Sequence, residues 1–360
     1  MKLNETNQKI VDAIIRKGTE QIPGTLALIS VHGSVLTGDT HRGSDLDLNI
    51  VINSDYCDEL SSCFILEDTG IGYDIYCTSW KRLEQVSECR SPHISRLMDG
   101  EILYAADEEA KARFLTLRSK AADFLNAPFS AKDAEIVKEH TNLLKAAYFD
   151  AMTADSLSEV RTAAAWVVQE AIEAVMAAQK QYFRLGVKRT FDELRKCELP
   201  ENFCDRILEI IRETDTEEVR RRLTLFVRDT DRFLAPYLRK AIPEKMPPSK
   251  ENLAGTYEEM ISNWHKKVGE AAIHHDVYSA FMAIASMQYM RNEEIAEEID
   301  IPVQDVMECF DPSDLFGTFR RFEQALDTYR EEYDKIGLSV RSFADADRFA
   351  ADYLSSEPHE

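Results

Sequence analysis

Residues 26–52, LALISVHGSVLTGDTHRGSDLDLNIVI, contain the pattern that decides the fold. The stretch begins with an apolar segment that predicts a β-strand. A Gly33-Ser34 turn and a polar loop follow, and ten residues separate Ser34 from Asp45. A second predicted strand opens with Asp45, Leu46 and Asp47 and is closed by turn-forming residues at 53–55. The pattern predicts two strands joined by a long polar loop.

The two aspartates of this stretch are predicted to lie side by side. Residues two apart on a strand point to the same face, so Asp45 and Asp47 share a face while Leu46 enters the core. Two adjacent carboxylates repel each other unless a cation lies between them, and Mg²⁺ typically binds one or two carboxylates together with substrate phosphates. The backbone N–H groups at Gly33 and Ser34 could receive a phosphate. The stretch therefore predicts a site for a metal and a nucleoside triphosphate.

This combination of turn, loop length and paired carboxylates resembles the signature of the DNA polymerase β-type nucleotidyltransferase superfamily. The signature has a hydrophobic residue, Gly-Ser or Gly-Gly, a loop of similar length, and then Asp-hydrophobic-Asp-hydrophobic. The resemblance implies ATP or another nucleoside triphosphate as co-substrate and two Mg²⁺ ions, the first held by Asp45 and Asp47. The alternative is a β-hairpin that carries an Asp-x-Asp pair on its surface.

A third acidic residue, Asp74, lies in the next segment with strand character, residues 73–77. In the resembling superfamily, a third carboxylate on a neighbouring strand completes the metal site or takes the proton from the acceptor hydroxyl. Alternation places Asp74 on the face opposite to Tyr73 and Ile75. Asp74 is therefore the predicted third metal ligand and catalytic base, and the alternative is an edge-strand carboxylate that faces water.

Four further residues are predicted to contact the nucleotide. Arg42 and Ser44 lie in the polar loop, where the alternative role of Ser44 is to cap the turn. Arg184 and Lys188 belong to a basic cluster in an otherwise acidic chain. Because a triphosphate requires cations besides the metal, these two residues are predicted to reach phosphates from a helical domain across a cleft. A solvated, charged turn is the alternative.

The remaining patterns predict an α+β protein with three parts. Residues 1–107 form a catalytic domain with a small mixed β-sheet and helices, residues 108–241 form a helical bundle that is the other wall of the cleft, and residues 249–360 form a further helical module. The Pro-rich segment 242–248 is the linker. Residues 163–181 are apolar nearly all round and predict the buried central helix of the bundle.

The order of helices and turns in the bundle resembles the helical domain of kanamycin-type nucleotidyltransferases. This resemblance implies aminoglycosides as acceptors and is compatible with a homodimer. Those enzymes place a glutamate one turn ahead of a lysine as catalytic base. Here Thr141 stands four residues before Lys145, and Glu139 and His140 are out of register. The departure leaves Asp74 as the better candidate for the base.

Composition limits the classes of partner. The formal net charge of −22 over 360 residues repels nucleic acids and anionic membranes and favours cationic partners. No apolar run is long enough to span a membrane. The seven cysteines are scattered without metal-ligand spacing, which is typical of a reducing cytoplasm. Residues 303–308 follow a segment that resembles the start of a helix-turn-helix, but they contain no basic residue, which argues against DNA binding.

The leading hypothesis is the transfer of a nucleoside monophosphate, AMP from ATP, to a hydroxyl of a small acceptor such as an aminoglycoside, with release of pyrophosphate. The second hypothesis is a regulatory adenylyltransferase that acts on a protein or an RNA. An exposed apolar patch within residues 253–335 would favour this second hypothesis, because the C-terminal module would then be a docking surface. The third is a catalytically silent nucleotide-binding protein.

Overall fold

The computed structural model describes residues 3–41, 43–55, 59–241 and 244–355. The chain divides into two compact units, Met1–Ile242 and Pro243–Glu360. A small mixed sheet with helices occupies the N-terminal region and is followed by many helices, so the predicted α+β class is confirmed. The further division of the first unit at residue 107 stays a prediction.

Among the described residues of the first unit, six strands form two sheets. They are β1 (Leu26–Val31), β2 (Leu48–Ile52), β3 (Ser62–Leu66), β4 (Ile71–Ile75), β5 (Cys77–Ser79) and β6 (Glu101–Ala105). The four-stranded sheet has the order β5-β2-β1-β6, and β3 pairs with β4 in a separate hairpin. β1 is antiparallel to both β2 and β6, whereas β5 is parallel to β2.

The apolar run of β1 reflects burial on both faces of the sheet. All six of its residues are buried. One face packs with Val11 and Ile14 of the first helix, and the other packs with Leu83 and Phe114 from later helices. A strand covered on both faces favours apolar side chains throughout, which explains why β1 shows no alternation; the one polar residue, Ser30, accepts a hydrogen bond of 3.4 Å from the Asn49 side chain.

Four chain segments meet at one edge of this sheet. Val31, the last residue of β1, pairs with Leu48 at the start of β2 and with Glu101 at the start of β6. Because β5 runs parallel to β2, its first residue also lies toward this edge. The residues after β1 and those before β2, β5 and β6 therefore gather at one end of the sheet, which we call the loop edge.

Helices make up the rest of the first unit, and several begin at polar caps. At the start of α7, for example, the Ser156 hydroxyl accepts the Glu159 N–H at 3.2 Å and the Glu159 carboxylate accepts the Ser156 N–H at 3.0 Å. The helices are α1 (Glu5–Arg16), α2 (Ser34–Thr37), α3 (Trp80–Val86), α4 (Ser95–Met98), α5 (Glu108–Asn126), α6 (Ala131–Thr153), α7 (Leu157–Ala178), α8 (Thr190–Leu194), α9 (Phe203–Arg212) and α10 (Thr216–Leu238). Short helical turns span Lys17–Gln21, Val187–Arg189 and Arg239–Ala241.

The structure corrects several predicted boundaries in this unit. β2 begins at Leu48 rather than at Asp45, because the ladder with β1 ends there. Among the described residues, one further backbone bond extends it, from the His32 N–H to the Asp47 carbonyl at 3.0 Å. The predicted strand at 73–77 is divided between β4 and β5, which pair with different partners.

The second unit is helical. Its helices are α11 (Lys250–Leu253), α12 (Thr256–Met260), α13 (Lys266–His274), α14 (Val277–Tyr289), α15 (Ala296–Glu298), α16 (Leu315–Lys335) and α17 (Ala346–Ser355), with π-helical turns at Ile261–His265 and Met290–Ile295 and a 3-10 turn at Met307–Cys309. Phe322 and Tyr329 of α16 lie at the centre of its core. Residues 303–306 are not helical, so the segment lacks a recognition helix. None of the described helices is long and apolar enough to cross a membrane.

Candidate active site

The loop edge brings Gly33 and Asp47 into direct contact. Gly33 has φ +70° and ψ −148°, a backbone conformation that is nearly restricted to glycine. A Cβ atom placed on Gly33 would lie 1.9 Å from the Asp47 Oδ2 atom. The Asp47 carboxylate therefore occupies the space that any larger residue at position 33 would need. Glycine is required here both by the backbone and by the neighbouring carboxylate.

Asp45 and Asp47 alternate with Leu46 as predicted, although they precede the strand. Leu46 is buried in the core beneath the sheet, while both aspartates are partly exposed. Burial and the charge of Asp45 raise the pKa of Asp47, and a hydrogen bond from the Ser34 backbone N–H opposes that rise. The two carboxylates thus destabilise each other when both are ionised. Hard oxygen donors in this arrangement fit Mg²⁺, since a bound cation would remove their repulsion.

Asp74 is not brought together with these two carboxylates. It lies on β4, its side chain is exposed, and the Cys63 thiol donates a hydrogen bond of 2.9 Å to its Oδ1 atom. Across the described ranges of the chain, no three His, Cys, Asp or Glu side chains lie close enough together to hold a metal ion. The predicted three-carboxylate cluster is therefore not assembled, because β4 pairs with β3 instead of continuing beside β2.

Asp74 lies close in sequence to the strand that pairs with β2. Ile50 of β2 is opposite Cys77, the first residue of β5, and Asp74 precedes Cys77 by three residues. The pairing of β5 with β2 begins at Cys77 and does not include Asp74, which pairs with Cys63 of β3 instead.

The polar loop between Gly38 and Asp45 is closed by its own residues. The Ser44 hydroxyl accepts a hydrogen bond of 2.8 Å from the His41 N–H, and the Ser44 N–H donates to the His41 carbonyl at 2.9 Å. Ser44 thus has the role of a turn cap. Arg42, predicted to contact the nucleotide, lies outside the described residues.

The basic cluster from the helical region reaches this loop. The Lys188 ammonium donates to the Asp39 carbonyl at 3.2 Å. Arg189 forms an ion pair of 2.9 Å with the Asp39 carboxylate. Arg184 lies over the ring of Tyr182, 4.9 Å from its centroid, and the Tyr182 hydroxyl donates to Asp99 at 3.0 Å, just before β6. These contacts place the predicted cations Arg184 and Lys188 beside the segments of the loop edge.

Sequence reasoning missed two residues at the loop edge, His32 and Arg96. Burial and, to a smaller extent, the charge of Arg96 lower the pKa of His32 to about 4, so the imidazole next to Gly33 is neutral at pH 7. Arg96 lies on α4, close enough to act on that imidazole. No short motif contains these two residues, which are 64 positions apart in the sequence. Only the pairing of β6 with β1 reveals their proximity.

The bundle residues near the expected position of a catalytic base have other partners. The Glu139 carboxylate pairs with Arg90 at 2.7 Å. His140 is buried, with Nδ1 2.8 Å from the Glu170 carboxylate and Nε2 2.7 Å from the Arg90 carbonyl. Because both ring nitrogens face acceptors, the protonated imidazole satisfies the site, and these acceptors outweigh burial and raise the pKa of His140. Neither residue is arranged to accept a proton from a substrate.

No family model matches the chain, and no curated protein matches it. The chain is similar to the crystal structure of a nucleotidyltransferase-like protein from Exiguobacterium sibiricum 255-15. The identity is 10%, the alignment covers 80% of this chain and 90% of that chain, and the TM-score is 0.37. Similarity at this level carries no argument, so the assignment of a function rests on the residues of this chain.

Proposed function

We propose that this chain is a metal-dependent nucleotidyltransferase that moves a nucleoside monophosphate, AMP from ATP, to a hydroxyl of a small cationic acceptor. The observation that carries the proposal is the contact between Gly33 and Asp47. It unites the Gly-Ser turn and the Asp-x-Asp pair in one compact group, where the Ser34 N–H donates to the Asp47 carboxylate. A surface Asp-x-Asp pair on an ordinary hairpin would not require a glycine at position 33.

The proposed reaction is an in-line displacement at the α-phosphorus. The acceptor hydroxyl oxygen forms a bond to the α-phosphorus, the bond from that phosphorus to the α,β-bridging oxygen breaks, and pyrophosphate leaves. Asp45 and Asp47 would hold Mg²⁺, which when bound neutralises phosphate charge and lowers the pKa of a coordinated hydroxyl. The Gly33-Ser34 backbone would hold the outer phosphates. Asp74 is the residue we assign to accept the hydroxyl proton, because it is an exposed carboxylate three residues before β5, whose first residue lies toward the loop edge.

A cationic acceptor is supported by the charge of the chain. The formal net charge is −22, so a polyamine such as an aminoglycoside would be attracted to the protein. This property selects a class of acceptor and not an individual compound.

The first test is calorimetric titration of each nucleoside triphosphate, with Ca²⁺ in place of Mg²⁺ to prevent turnover. Wild type is compared with Asp45→Asn/Asp47→Asn. A matched control is Asp345→Asn/Asp347→Asn, which changes an exposed Asp-x-Asp pair elsewhere in the chain. We expect metal-dependent binding of one nucleotide that is lost in the first variant and kept in the control. Equal binding by all three proteins would contradict the assignment of the metal site.

A second candidate function, transfer to a protein acceptor, is favoured by one observation in the second unit. Helix α14 exposes a row of apolar side chains, and Tyr278 and Tyr289 are 74% and 60% exposed. The other exposed apolar residues of this helix are Val277, Phe281 and Met282. Such a patch is typical of an interaction surface. Incubation of a cell extract with ATP labelled at the α-phosphate separates the two candidates, because the label enters either the small-molecule or the protein fraction.

A further inference from the structure

Arg96 is a cation at the loop edge with no ion-pair partner among the described residues. Its Nε atom is buried and finds no hydrogen-bond partner among the described residues. No carboxylate in the described part of the chain forms an ion pair with its guanidinium. A buried donor without a partner is costly and uncommon in folded proteins. Its presence beside the proposed phosphate-binding turn requires an explanation.

The position of Arg96 is held by its surroundings. Arg118 donates from Nε to the Leu97 carbonyl at 2.8 Å and from Nη2 to the Gly100 carbonyl, which clamps the turn between α4 and β6. A Cβ atom at Gly100 would lie 2.4 Å from the Arg96 carbonyl oxygen and 3.3 Å from the Ser30 hydroxyl. The turn is therefore packed against β1, and the backbone of Arg96 has little freedom to move.

The neighbour of Arg96 is the residue that leads into the Gly-Ser turn. The charge of Arg96 acts on His32, and His32 directly precedes Gly33 and Ser34. Neither Asp45 nor Asp47 forms an ion pair with Arg96 within the described residues.

We infer that Arg96 binds the outer phosphates, the pyrophosphate part of the nucleotide, together with the backbone N–H groups of Gly33 and Ser34. A guanidinium on a constrained backbone, with no ion-pair partner among the described residues, matches the geometry and charge of phosphate oxygens. Asp45 and Asp47 would hold the metal on the other side of the same phosphates. This inference rests on the proposed function and extends it by one binding residue.

The test compares wild type with Arg96→Met and Arg96→Lys by calorimetric titration in the presence of Mg²⁺. The probes are a triphosphate analogue with a methylene bridge between the α- and β-phosphorus atoms, inorganic pyrophosphate and AMP. We expect Arg96→Met to weaken the triphosphate analogue and pyrophosphate about 10- to 100-fold, to change AMP less than about 2-fold, and Arg96→Lys to be intermediate. Arg221→Met is the control for net charge, because Arg221 pairs with Glu218 on the same exposed helix surface.

Specific outcomes overturn the inference. The inference is wrong if Arg96→Met binds pyrophosphate with unchanged affinity. It is also wrong if the variant loses affinity for AMP and for the triphosphate analogue equally, because that result would indicate a purely structural role. Thermal unfolding identifies a folding defect, in which case Arg96→Lys, with its charge retained, is the variant that decides.

The two proposals fail in different ways. If wild type binds nucleotide through Asp45 and Asp47 but the Arg96 variants bind equally well, only the inference about Arg96 is wrong. If pyrophosphate binding depends on Arg96 while no nucleotide binds or reacts, the proposed function is wrong and the anion site stands. Absence of any pyrophosphate and nucleotide binding by wild type overturns both.

Discussion

Replacing Gly33 by alanine tests the contact on which the site depends. The added Cβ would lie 1.9 Å from Asp47 Oδ2, so the carboxylate must rotate away and lose its hydrogen bond from the Ser34 N–H. Gly33 also has φ +70° and ψ −148°, where a residue with a Cβ pays about 1–3 kcal/mol. The lost bond to a half-buried carboxylate adds about 1.5 kcal/mol. We therefore expect Gly33→Ala to reduce the free energy of unfolding by about 3 kcal/mol.

The matched control is Gly38→Ala, at the other end of α2. Gly38 has φ +76° in the left-handed region, but a Cβ there would meet no atom within 4 Å. The control should lose only about 1 kcal/mol of stability and should keep the metal site. Urea unfolding measures the stability of both variants, and calorimetric titration with Ca²⁺ and the bound nucleotide measures the site.

The binding measurement decides whether the reasoning is correct. Displacement of Asp47 removes one of the two carboxylates, so we expect Gly33→Ala to bind the metal–nucleotide at least about 10-fold more weakly than Gly38→Ala. If the two variants bind the metal–nucleotide equally well, the Asp47 carboxylate does not have to occupy the space that a Cβ atom at position 33 would fill. The proposed site geometry would then be refuted, even if the stability difference were observed.

Three further predictions concern the base and the bundle. If Asp74 accepts the proton, Asp74→Asn should lower the transfer rate about 100-fold or more and leave the nucleotide affinity unchanged. Steady-state kinetics measure both quantities. The control Cys63→Ala removes the hydrogen-bond donor to Asp74 and should retain the rate. The Asp133 side chain is 2% exposed and forms an ion pair of 2.8 Å with Lys180. Lys180→Met leaves this buried carboxylate without its ion-pair partner and should lower the free energy of unfolding by about 3 kcal/mol. An unchanged midpoint of urea unfolding would contradict this prediction. The raised pKa of His140 contributes stability that is fully present below the unfolded-state pKa of about 6.5 and is lost as the pH rises through the raised value. In urea titrations at a series of pH values, His140→Gln should flatten this pH dependence of the unfolding free energy. A wild-type stability that rises with pH over the same range would contradict the prediction.

The local elements around the site were predictable because short-range patterns determine them. The apolar run of β1 and the alternation of Asp45, Leu46 and Asp47 follow from residues close together in the sequence. The start of β2 was misplaced because hydrogen bonding to β1, and not the sequence of β2 itself, determines where a strand begins. The sequence allowed two roles for Ser44: its bond from the His41 N–H shows the turn cap, and its contact with a nucleotide stays a prediction.

The sequence alone determined the α+β class and the presence of a Gly-Ser turn followed by an Asp-x-Asp pair, since both are encoded by neighbouring residues. Only the tertiary structure decided which distant groups meet at the loop edge. It left Asp74 facing solvent because β4 pairs with β3, and it brought Arg96 to His32 because β6 pairs with β1. Strand pairing depends on contacts between segments far apart in the chain, and no local pattern in one sequence specifies them.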